Sequence, residues 1–81
     1  MKLFVFTVKF FNQDQNVEYE MVKGVYDNKQ LAKESVLKEL HMQQEMWKDS
    51  YTVKLGKAKM GLISKDGYSK VYSLIEKELN Q

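Results

Sequence analysis

Apolar and polar residues alternate over the start of the chain. Phe4, Phe6, Val8 and Phe10 recur at every second position, which is the side-chain period of a strand. Residues 3–11 are therefore expected to be a strand. Asn12-Gln13-Asp14-Gln15-Asn16 is a polar turn cluster, and residues 17–26 alternate again. These features predict a hairpin. Pairing Phe10 with Tyr19 and Val8 with Met21 joins the apolar sets and places Lys9 opposite Glu20. A slip of one residue would put Glu18 and Glu20 among the phenylalanines. The expected loop is Gln13 to Asn16. Val17, Tyr19, Met21 and Val25 are expected on the phenylalanine face. Leu3, Val5, Phe11, Val22 and Tyr26 are expected on the opposite face, which is too apolar to be left wholly to solvent.

The period then lengthens. Asp27 or Asn28 can cap a helix, and the spacing of Ala32, Val36, Leu40 and Trp47, with Leu37 beside them, predicts a helix to about Trp47 or Lys48. That stripe is expected to lie on the phenylalanine face. Leu31, Met42 and Met46 fall outside it. Residues 51–63 read as a third strand, with Gly56 and Gly61 marking a bulge or bend. The remainder supports two readings. Lys65-Asp66-Gly67 is a good hairpin turn leading into a fourth strand. Yet Tyr68, Val71, Tyr72, Ile75 and Leu79 form one helical face, and Glu76 to Leu79 favour helix. The preferred fold is a single α+β domain over residues 1–81. It has an antiparallel sheet (the hairpin plus a third strand), one long packed helix and a C-terminal helix, in the order β-β-α-β-α. The alternative order is β-β-α-β-β.

The second strand ends in Gly24-Val25-Tyr26-Asp27, and Ala32 follows inside the helix. Over the first half of the chain this pattern resembles small uncharacterised ββαβ proteins of bacteria and phages. In those, a glycine, an aliphatic, an aromatic and a capping residue precede the helix. The resemblance implies a fold type and carries no catalytic or binding residue across.

Composition narrows the function. The 81 residues are 43% hydrophobic and 30% charged with a net charge of +2, which excludes a disordered tail, an acidic nucleic-acid mimic and a strongly polybasic protein. The absence of cysteine removes disulfides, thiolate zinc sites and cysteine nucleophiles. It fits an expected cytoplasmic location. The apolar run after Met1 ends at Lys9, too soon to span a bilayer, and no membrane role is expected. All thirteen basic residues are lysine. The bias toward Lys, Asn, Tyr and Phe is that of AT-rich codons and points to a low-GC bacterial or phage genome.

No constellation for catalysis is apparent. His41 is the sole histidine, and with Glu45 one turn away it supplies two ligands at most, short of a metal site. Glu18 and Glu20 share a strand face without a cleft. None of the five serines lies in a Gly-x-Ser-x-Gly context. No enzyme activity, cofactor, metal or small-molecule substrate is expected.

Two binding classes remain. The first is a protein-binding module acting through Leu31, Met42, Met46 and Trp47, because exposed methionine adapts to varied surfaces and tryptophan anchors interfaces. Its partner would be a second copy, as a homodimer, or a host macromolecule such as a defence or nucleic-acid-processing enzyme. In the latter case the protein would be a phage or mobile-element inhibitor. The second class is a nucleic-acid-binding accessory protein. Residues 50–81 hold six lysines against three acids, and Lys54, Lys57, Lys59, Lys65 and Lys70 lie near Tyr51, Tyr68 and Tyr72. Such residues can neutralise phosphates and stack on bases. The lack of arginine weakens guanine readout.

Overall fold

A computed structural model describes residues 1–79. The elements run β1 (Lys2–Phe11), β2 (Val17–Tyr26), α1 (Lys29–Met46), β3 (Tyr51–Gly56), β4 (Lys59–Ile63) and β5 (Ser69–Glu78). The strands form one antiparallel sheet in the order β2-β1-β5-β4-β3.

The C-terminal helix is overturned, and so is the single third strand. Residues 51–63 split into β3 and β4 around a turn at 57–58, with a bulge between Lys54 and Gly56. The C-terminal segment is the central strand β5, hydrogen-bonded to β1 on one side and β4 on the other. A helix there would have left the facing edges of β1 and β4 without partners, and sheet edges need cover or pairing. The helical stripe of Val71, Tyr72 and Ile75 is resolved by pleating. Tyr72 and Leu74 stand on opposite faces from Val71 and Ile75. The Lys65-Asp66-Gly67 turn forms as the alternative reading expected. Gly67 takes φ +95°, a conformation glycine adopts without steric cost, and the Ser64 backbone N–H donates to the Tyr68 carbonyl at 2.8 Å.

The β1–β2 register is the expected one where it was argued. Phe10 faces Tyr19, Val8 faces Met21, and Lys9 faces Glu20 with an ion pair of 3.4 Å. Bulges interrupt it on either side. One lies near Phe10 and Phe11, so Phe11 faces Val17 and the loop spans Asn12 to Asn16. The other lies between Phe6 and Thr7, where Phe6 faces Gly24 and Thr7 faces Val22, leaving Lys23 as the extra residue. A bulge reverses the alternation beyond it. Tyr26 therefore packs against the core and Val25 faces outward beside Val5, the reverse of the expected placement.

Asn28 caps α1, its side-chain oxygen accepting from the backbone N–H of Gln30 (2.9 Å) and Leu31 (3.1 Å). The helix lies over the phenylalanine face, mainly against β1, β2 and β5. Phe6, Val8, Leu40, Leu62 and Tyr72 form the buried centre, with Val36, Trp47, Met60 and Leu74 packed around it. Phe6 and Leu62 are fully buried, each contributing roughly 1.5–3 kcal/mol of transfer free energy.

Candidate binding surfaces

Among the described residues one helix covers one face of the sheet, and the other face is bare. The pleat places Leu3, Val5 and Phe11 of β1, Val71 and Ile75 of β5, and Val53 and Leu55 of β3 there, with Val22 and Val25 on β2. Val22, Val25 and Leu55 are each more than half exposed. Thr7 and Ser73, paired on neighbouring strands, form a small polar centre between two aliphatic zones. At the β3–β4 end a hollow of about 240 Å³ is lined by Phe11, Val53, Leu55, Ile63 and Val71 around Gly61. It exists because Gly61 carries no side chain, and Leu55 folds to 3.3 Å from where a Cβ would stand.

The proposed partner-binding residues separate. Leu31, Met42 and Met46 are exposed on the outward side of α1, at 52%, 52% and 75%. Leu31 and Met42 are eleven positions apart, about 16 Å along the axis. Trp47 does not join them. It is half-buried, packs on the core, and its ring lies 6.2 Å from that of Phe10. Phe10 is also stacked with Tyr19 at 5.3 Å and Tyr68 at 5.9 Å, building an aromatic cluster at the C-terminal end of α1. The Lys70 ammonium sits at its edge, 5.7 Å from the Trp47 ring and 6.0 Å from that of Phe10. It donates to Gln43 Oε1 at 2.7 Å.

The lysine set divides too. Lys70 is held in that cluster, and Lys65 lies 3.7 Å from Asp49 Oδ2. Lys54 and Lys57 line a cleft between the first half of α1 and the β3–β4 hairpin, where Lys29 and Lys33 meet them; Lys59 borders it but pairs with Ser73, which turns its side chain to the bare face. Sequence reasoning missed Lys29 and Lys33. Their signal was the one-turn spacing on either side of Ala32, which places both on the same helix side as the apolar stripe. The cleft measures about 410 Å³, and Phe4, Val36, Leu37, Met60, Tyr72 and Leu74 form its apolar lining. Burial, with Glu39 and Tyr19 adding to it, pushes the Tyr72 phenol well above its usual range, so it is neutral and protonated at physiological pH.

His41 is exposed on α1. Among the described residues no group of three or more His, Cys, Asp or Glu side chains gathers to hold a metal, and no helix is long and apolar enough to cross a membrane. Glu18 accepts from Asn12 Nδ2 at 2.7 Å and Glu20 pairs with Lys9, so each carboxylate has a local partner. Comparison with family models, curated proteins and solved structures finds no match to the chain.

Proposed function

We propose that this protein is a non-enzymatic protein-binding module that works through the bare face of its sheet, and that a second copy of the chain is the occupant. The observation that carries the reading is the layer count. A sheet with one apolar face covered by a helix needs a further layer on the other if that face is also apolar. The face has the size for it. Three ten-residue strands and two shorter ones span about 650 Å² in plan from strand rise and spacing, near the roughly 600–1,000 Å² per partner of stable interfaces. On it Lys9 and Glu20 neutralise each other, while Lys59, opposite Ser73, and Lys77, opposite Leu3, also stand on this face. Its centre, Thr7 and Ser73, is small enough to let two sheets approach to the ordinary packing distance of about 10 Å. The same patch can serve both members of a two-fold pair.

Sedimentation of the intact chain over a wide concentration range tests this. A reversible dimer is expected, with Val71→Glu monomeric at every concentration and native by circular dichroism. Met42→Asp with Met46→Asp should leave the dimer intact. A wild-type chain that stays monomeric would overturn the reading, as would a Val71→Glu chain that still dimerises. Dissociation by the methionine pair alone would move the interface to the helix. The narrower role drawn from composition, a phage-encoded inhibitor occupying a host surface, uses the same bare face. A monomeric chain that forms a stoichiometric complex with a purified host enzyme would favour it over self-association.

A further inference from the structure

We infer that the cleft between α1 and the β3–β4 hairpin binds an amphiphilic anion, an aliphatic chain ending in a carboxylate or phosphate. The cleft opens on the helix side of the sheet, opposite the bare face, so the inference stands apart from the dimer.

Three features define the ligand. The first is the rim. Lys29, Lys33, Lys54 and Lys57 line the cleft, all are exposed, and none is in an ion pair among the described residues. Among the described residues Glu76 is the single acid lining it, and its carboxylate already lies 3.9 Å from Lys2 Nζ. The second is the helix end. Lys29 opens α1, and the first turn holds no acidic residue. Helix N-termini carry partial positive charge and favour Asp or Glu. Here Lys29 adds like charge to that end and Lys33 follows one turn later, so the basic residues lining the cleft outnumber the acidic one. A bound anion offsets that excess. The third is the lining. Val36, Leu37, Met60 and Leu74 are aliphatic or thioether side chains, and Leu37 is 49% exposed. Lysine stems can extend such an apolar wall while keeping their ammonium groups in water.

The lining also chooses between anions. Reading a nucleobase takes hydrogen-bonding groups along its edge or an open ring to stack on. The two lining rings, Phe4 and Tyr72, are 7% and 2% exposed, and neither offers an open platform. Lysine, a flexible point charge, suits a carboxylate or phosphate head without demanding the paired geometry of arginine. The volume of about 410 Å³ falls in the range of roughly 300–1,000 Å³ for small-molecule sites.

Calorimetric titration of the intact protein tests the inference, with dodecanoate below its micellar concentration as the probe. Dodecyl maltoside, inorganic phosphate, a thymidine oligonucleotide and phosphatidylglycerol vesicles serve as comparisons. Dodecanoate is expected to bind saturably, one per chain. Lys54→Glu with Lys57→Glu should weaken it about tenfold or more, while Lys65→Glu, in a lysine remote from the cleft, should leave it unchanged. Absence of saturable binding would overturn the proposal. Equal affinity for the maltoside would remove the role of charge, and equal affinity for phosphate that of the lining; either overturns it. Tighter binding of the oligonucleotide would assign the lysines to nucleic acid instead. Binding to vesicles without binding to monomeric dodecanoate would assign them to a membrane surface.

Discussion

A Cβ on Gly24 would stand 2.6 Å from the Tyr26 hydroxyl oxygen and 2.8 Å from two carbons of its ring. The glycine makes room for that ring to fold back and pack against the core. Gly24→Ala should therefore displace Tyr26 and cost about 1–2 kcal/mol, as overpacking does. In a Tyr26→Leu background the same change should cost little. Urea unfolding of the four proteins in this cycle measures the coupling, and additive losses would refute the contact. Tyr72 makes a second residue-scale prediction. Its folded pKa is raised, by burial first and by Glu39 and Tyr19 next, so the folded state holds the proton more tightly than the unfolded chain. That contribution is whole below the unfolded tyrosine value of about 10 and is lost as pH rises beyond it. Stability should fall above about pH 10, and Tyr72→Phe should flatten the fall. Equal slopes of denaturation midpoint against pH in the two proteins would show that Tyr72 has no part in it.

Among the elements, α1 rests on one cap and one packed stripe. Asn28 satisfies two backbone donors of the first turn, and Asn28→Ala should cost about 1 kcal/mol. Asn28→Asp should recover it, because a carboxylate caps equally well and opposes the positive charge of the helix end and Lys29. Thermal denaturation of both variants settles this, and an alanine variant as stable as wild type would contradict it. The helix was legible from residues 27–48 because capping and a 3.6-residue period are local properties. The hairpin register was legible because Phe10–Tyr19 and Lys9–Glu20 agree on one pairing. The bulge at Lys23 was not. It depends on Tyr26 gaining core contacts that a strict alternation cannot show. The identity of β5 was not legible either. Val71, Tyr72 and Ile75 suit a helix face and a strand equally, and the open edges of β1 and β4 decide between them.

For the whole molecule, the sheet has two apolar faces and one helix to cover them. If a second copy supplies the missing layer, folding is coupled to association and the melting temperature should rise with protein concentration. Val71→Glu should abolish that dependence. A melting temperature constant across concentrations in the wild type would argue against the dimer. The surplus apolar face was legible in Leu3, Val5, Phe11 and Val22, which share the outer side of the first hairpin. Its full extent was not, because Val53, Val71 and Ile75 join it only through β5. The lysine cleft was half legible. Lys54 and Lys57 stand together in sequence, but Lys29 and Lys33 reach them only because α1 crosses the sheet with its first half beside the β3–β4 hairpin.

The sequence by itself determined the hairpin, its central register, the capped helix and the class of residues available for binding. These follow from side-chain period, turn chemistry and charge, which act between near neighbours. Tertiary structure alone decided that β5 is central, that Tyr26 turns inward and Val25 outward, and that four lysines from two distant segments line one cleft. Each of these outcomes depends on contacts between residues far apart in the chain. There the need to pair open strand edges and fill the core outweighs local propensities of a few tenths of a kcal/mol per residue.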